Sequence, residues 1–127
     1  MTPAEIEKLQ SLAEQGKARD LAIYAGFVQK LQVAQQEIDD LHEQYKAHSK
    51  STNIVVVARW QAWAEGENRR LNEQAHAIDT DKELARKVAI KSAAKVQALE
   101  YLLKDAKKAE IVLRRRRAEQ NGMPSDV

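Results

Sequence analysis

A chain of 127 residues allows one domain, and with 43% hydrophobic residues, only 5% aromatic, four Gly and two Pro it excludes a compact sheet protein and suits long helices packed through a narrow seam. The formal net charge of +2 hides a strong asymmetry: residues 1–81 hold nine Lys and Arg against thirteen Asp and Glu, whereas residues 82–119 hold twelve against five. Absence of Cys excludes disulfides, Cys-based zinc sites and thiol catalysis, and leaves the compartment open on that count.

The N-terminal residues Met1-Thr2-Pro3-Ala4-Glu5-Ile6-Glu7 are acidic where a secretory signal is basic. No stretch approaches the ~18 apolar residues of a membrane span. A cytoplasmic protein is expected, at most peripheral at the inner membrane face. Thr2-Pro3-Ala4-Glu5 offers an N-cap hydroxyl, Pro at the first helical position and Glu two residues further on, the pattern of a capping box. A first helix is predicted over 3–47. Its apolar stripe reads Leu21, Tyr24, Val28, Leu31, Gln35, Ile38, His42, Tyr45, spaced alternately three and four, with Phe27, Ala34 and Leu41 widening it.

The polar run His48-Ser49-Lys50-Ser51-Thr52-Asn53 breaks the periodicity and ends in two residues that favour helix caps, so a turn is predicted over 48–53. Ile54-Val55-Val56-Val57 has no second β-branched run to pair with and reads as the buried first turn of a second helix over 54–119. The seam of that helix runs Val57, Gln61, Ala64, Asn68, Leu71, Ala75, Ile78, Lys82, Ala85, Ala89, Ser92, Val96, Leu99, Leu103, Ala106, Glu110, Leu113. Small residues along it favour close helix approach, and polar ones fix register. Pairs at i,i+4, Glu65/Arg69, Glu83/Lys87, Glu100/Lys104 and Glu110/Arg114, add about 0.2–0.5 kcal/mol each. Gly16 and Gly66 mark expected bends or close contacts. Asn121-Gly122-Met123-Pro124 stops the helix and leaves a flexible tail over 120–127.

The predicted fold is all-α, two long helices in an antiparallel coiled-coil hairpin forming a single domain over 1–127. At about 1.5 Å per residue the arms span roughly 68 Å and 99 Å. Counting back from the turn places Pro3 opposite Val96 to Ala98, so the stretch from Leu99 onward is expected to protrude without an intramolecular partner. It carries Leu99, Tyr101, Leu102, Leu103, Ile111, Val112 and Leu113, then Arg114-Arg115-Arg116-Arg117. Cations at a helix C-terminus complement the macrodipole. Four in succession cover every face, which exceeds what the dipole needs and invites an anionic partner. The candidate partner-binding residues are therefore Leu99, Leu102, Leu103, Leu113, Arg114, Arg115, Arg116 and Arg117.

No catalytic constellation is readable. His42-Glu43 lacks the second His of a zincin helix, and His48 lies six residues from His42, off its face. The acidic cluster Glu37, Asp39, Asp40, Glu43 sits on a solvated helix with no apolar pocket to raise a pKa. Neither a catalytic residue, a metal, a cofactor nor a small-molecule substrate is expected. Trp60 and Trp63 share one helical face beside Arg59 and read either as an anchor pinning the turn against Leu41 and Tyr45 or as a second binding patch.

The segment Val57-Ala58-Arg59-Trp60-Gln61-Ala62-Trp63, after a short loop and leading into Asn68-Arg69-Arg70-Leu71-Asn72-Glu73-Gln74, resembles the opening of the second helix in the FliJ family of flagellar and type III export components. The two-arm layout and the basic C-terminal end resemble that family over most of the chain. The resemblance implies a coiled-coil stalk that activates the hexameric export ATPase through its joined terminal end, with further contacts to the export gate and export chaperones. Two other classes use the same residues: a basic helical hairpin binding nucleic acid, and a homodimeric structural coiled coil that buries the protrusion against its own copy.

Overall fold

The computed structural model describes residues 1–50 and 53–122. They form a helical hairpin of two long α-helices, α1 over Pro3–His48 and α2 over Ile54–Gln120, with no strand among the described residues. Each end has an identifiable local cause. The Glu5 amide donates to Thr2 Oγ1 at 3.3 Å, and the Ile6 amide to the Thr2 carbonyl at 3.1 Å, so Thr2 caps α1. Asn53 caps α2: its Oδ1 accepts from the amides of Val55 at 3.2 Å and Val56 at 3.3 Å. At the far end Gly122 adopts φ +71°, the left-handed conformation that only glycine enters without cost, and its amide donates to the Glu119 carbonyl at 3.1 Å. Both helix starts coincide with those read from sequence, and each helix ends one residue later. Ser51 and Thr52 of the predicted turn, and residues 123–127 of the predicted tail with Met123 and Pro124 of the stop signal, lie outside the described residues.

The chain divides into two units, Met1–Asp20 with Val88–Val127, and Leu21–Lys87. In the Leu21–Lys87 unit the core is a cluster of Ala34, Ile38, Leu41, Ala64, Leu71 and Ala75, with Leu31, Trp60 and Ile78 packed against it. Pairing is antiparallel. Tyr45 meets Trp60 at 5.4 Å between ring centroids, while Ala34, eleven residues earlier, shares a groove with Gln74 and Ile78. Three alanines among six core residues allow close approach but bury little apolar area each, so this seam depends on Ile38, Leu41 and Leu71 for most of its transfer energy.

The seam of α1 corrects the expectation. Gln35 and His42 are exposed, and the buried line runs through Leu31, Ala34, Ile38 and Leu41. Leu31 and Ile38 lie in the seam as expected, while Ala34 and Leu41, expected at its margin, take the places of the polar lapses Gln35 and His42. The expected i,i+4 pairs also sort differently: Glu110–Arg114 forms at 2.7 Å, while Glu83 pairs with Arg86 at 3.1 Å, one residue earlier than the expected Lys87. Gly16 and Gly66 were expected to mark bends or close contacts, yet a Cβ at either would meet nothing within 4 Å, so no close contact requires them.

In the Met1–Asp20/Val88–Val127 unit α1 follows the same alternation through Ile6, Gln10, Ala13, Lys17 and Asp20, all buried or half-buried, opposite Ala89, Ser92, Val96, Leu99 and Leu103. Asp20 is one of its buried residues, and its Oδ2 accepts a hydrogen bond from the Ser92 hydroxyl. Glu7 and Lys107 form an ion pair at 3.6 Å. Both contacts run antiparallel, and together they set the register of this unit.

Candidate functional site

The expected protrusion begins later along α2 than residue counting placed it. Met1 to Ala4 line one surface groove with Ala106, Ala109, Glu110 and Leu113, so the start of α1 lies beside Leu113 and not beside Val96 to Ala98. The physical reason is that this unit takes its register from its own matches, Asp20 with Ser92 and Glu7 with Lys107, and not from the number of residues back to the turn. Leu99 and Leu103, expected to be free, are half-buried seam residues, and Leu99 lines a groove with Leu9, Leu12 and Ala13 of α1. Leu102 and Leu113 remain exposed, at 50% and 51%.

What extends past Leu113 is the cationic segment alone. From Arg114 to Gln120 α2 continues for about two turns beyond the residues that face the capped start of α1. Arg114, Arg115, Arg116 and Arg117 are all exposed. Arg114 is held by Glu110 at 2.7 Å, and among the described residues Arg115, Arg116 and Arg117 have no carboxylate within ion-pair distance. Arg117 also lies in the last turn, where its charge complements the helix dipole. The three unmatched guanidinium groups point around the helix at about 100° intervals, so a planar or concave anionic surface can engage at least one whichever way it approaches. Behind them Tyr101, Leu102, Ile111, Val112 and Leu113 supply an exposed apolar shoulder.

Within the Leu21–Lys87 unit, Trp60 and Trp63 divide the two roles that the sequence left open. Trp60 is half-buried, with its ring 4.7 Å from His48 in an edge contact and 5.4 Å from Tyr45, so it anchors the turn. Gln61 adds a hydrogen bond from Nε2 to the Tyr45 hydroxyl at 3.2 Å. Trp63, 6.2 Å from Trp60 between centroids, is 54% exposed. Ile54-Val55-Val56-Val57 forms the helical first turn as expected but is not buried as a unit: Ile54 is 82% exposed, Val55 and Val56 are also exposed, and only Val57 turns inward. Sequence reasoning missed this surface because four apolar residues in succession were assigned to a core. A helical turn can bury only one of its faces against a single partner helix, which is the signal that would have exposed the error.

The perturbed titratable groups are surface pairs. A hydrogen bond from Arg70 holds the Glu67 carboxyl below its ordinary range, and the Asp79 carboxylate raises the Lys82 ammonium. Among the described residues no group of three or more His, Asp or Glu side chains converges to hold a metal ion, and no helix is long and apolar enough to cross a membrane. No protein-family model, no curated protein and no solved structure matches this chain.

Proposed function

We propose that this chain is a non-enzymatic coiled-coil component of a flagellar or type III protein export apparatus, acting as a stalk and activator of the export ATPase. The observation that carries the reading is the two-turn arginine-bearing extension of α2 beyond Leu113, flanked by the exposed apolar groups Leu102 and Leu113. A narrow helical pair ending in a cationic tip is shaped to enter a ring lined by carboxylates, and charge-assisted contacts from guanidinium groups suit such a lining. The likeness of residues 57–63 and 68–74 to the FliJ family supplies the choice of apparatus, with the export gate and export chaperones as further partners. Activity resides in the partner, and the hairpin contributes position and charge.

The test replaces Arg114 to Arg117 by Glu and measures association with the export ATPase and stimulation of its turnover, with helicity followed by circular dichroism. Loss of both with helicity retained supports the reading, and unchanged stimulation overturns it. A second reading is favoured by the concentration of twelve Lys and Arg against five acids over residues 82–119, which would also serve a nucleic-acid backbone. Nucleic-acid binding would fall steeply with salt and show little sequence preference, and absence of binding at low salt removes it.

A further inference from the structure

We propose that the turn end of the hairpin docks onto an anionic lipid surface, with Ile54, Val55, Val56 and Trp63 entering the interface and Lys50 and Arg59 resting among the headgroups. Three observations carry this. The first is the distribution of the exposed apolar groups. Ile54, Val55 and Val56 are consecutive on a helix and all exposed, so they point in three directions about 100° apart around the helix end. A protein groove receives a stripe along one helix face, spaced three and four. An end that is apolar around most of its circumference fits a soft medium that closes on it from several sides.

The second is charge. Residues 44–64 contain Lys46, Lys50 and Arg59 and no Asp or Glu. The first turn of α2 has no acidic residue, although the helix dipole favours one there. Lys46 is paired with Glu43 at 3.4 Å, which leaves Lys50 and Arg59 as the cations beside the apolar tip, a match to the negative surface potential of anionic lipids. The third is the tryptophan geometry. Trp63 is exposed beside Val56 and Arg59 on the same side of α2, and Trp60, anchored on Tyr45 and His48, holds that side in place. Indole rings with one apolar and one hydrogen-bonding edge concentrate at membrane interfaces.

The mode is interfacial attachment, since neither helix is apolar enough to span a bilayer. This tip is formed by the Leu21–Lys87 unit, so the inference stands or falls apart from the role proposed for Arg114–Arg117.

The chain's only two tryptophans are Trp60 and Trp63, so tryptophan emission, excited where tyrosine does not absorb, reads this end alone. With vesicles of phosphatidylcholine and phosphatidylglycerol we expect co-flotation and a blue shift of the emission, both weakened by salt. With phosphatidylcholine alone both should be much reduced. The double variant Val55→Asp with Val56→Asp keeps the helix, because acidic residues suit a helix N-terminus, and should lower partitioning into anionic vesicles roughly tenfold or more. Trp63→Ala should weaken it in the same direction. Several results overturn the proposal: no flotation with anionic vesicles, equal binding to neutral ones, flotation untouched by the double aspartate variant, or flotation lost only when Arg114–Arg117 are replaced. Dependence of a protein–protein contact on Val55 and Val56, in a chain that ignores vesicles, likewise assigns the tip to a protein partner.

Discussion

The Ser92 hydroxyl donates a hydrogen bond to the carboxylate of Asp20 across the two helices, and Asp20 is 9% exposed. A buried carboxylate needs its partners, because a lone pair left unsatisfied keeps its full desolvation cost. Arg19 assists from the rim, its Nε 3.5 Å from Asp20 Oδ1. We expect Ser92→Ala to destabilise the hairpin by about 1–3 kcal/mol, well above the effect of removing an exposed serine. Urea unfolding followed by circular dichroism measures it. A change near zero would show that water replaces Ser92 without loss, and that this pair does not set the register.

The core and the shoulder should respond differently to truncation. Leu71, at 5% exposure inside the cluster with Ile38 and Leu41, should cost about 2–4 kcal/mol as Leu71→Ala. Leu102, half exposed, should change stability by less than about 1 kcal/mol on the same substitution, while lowering affinity for the partner that the cationic end grips. Paired denaturation and binding measurements separate the two outcomes.

Gly66 lies within α2, and its Cβ position opens on empty space. With neither a positive φ nor a close neighbour to require glycine, Gly66→Ala should stabilise by about 0.5–1 kcal/mol through helix propensity. The melting temperature checks it, and a lower value would show that flexibility at this position is used.

Glu67 accepts from Arg70 Nη2 at 2.8 Å and Nε at 3.2 Å on Oε2 and from Nε at 3.3 Å on Oε1, and its pKa is held below the ordinary glutamate value of 4.5. A carboxyl with a depressed folded-state pKa contributes stability above its unfolded value, and that contribution is lost as pH falls through the folded one. The contribution therefore disappears in the acid range below 4.5 and is constant near neutrality. Both groups lie at the surface, so the pair adds little to folding. NMR titration of the Glu67 carboxyl should show its midpoint rising on Arg70→Ala, and an unmoved midpoint would contradict the pairing.

Much of the architecture was legible because helix chemistry is local. Thr2, Asn53 and Gly122 fix the helix ends through contacts within four residues, so the boundaries could be read to within a residue. The α2 seam was legible throughout: each position named from Val57 to Glu110 is buried or half-buried, since only one stripe there keeps heptad spacing. On α1 two stripes competed that share Tyr24, Leu31 and Ile38, and at the alternate positions bulk pointed to the wrong residues. Leu21 and Val28 drew the line toward Gln35 and His42, whereas the small Ala34 lies at the contact because a small side chain admits the other helix. Register was not legible. Counting from the turn assumes that both arms advance equally, while Asp20–Ser92 and Glu7–Lys107 are matches between residues 72 and 100 positions apart that no local pattern announces. That is why Leu99 and Leu103 were expected outside the hairpin and lie within its seam. The arginine run survived as the exposed end because its charge cannot be buried without partners, whatever the register.

The claim on which this account depends is that the capped start of α1 lies beside the Ala106–Leu113 segment, leaving only the arginine-bearing turns of α2 uncovered. The chain has no cysteine, so cysteines placed in pairs report on this directly. A short bis-maleimide linker should join Ala4→Cys to Ala109→Cys within one chain and leave Ala4→Cys with Ala98→Cys unjoined. Efficient joining of the Ala4/Ala98 pair, with none for Ala4/Ala109, would contradict the account, because the apolar stretch from Leu99 to Leu113 would then lie outside the hairpin.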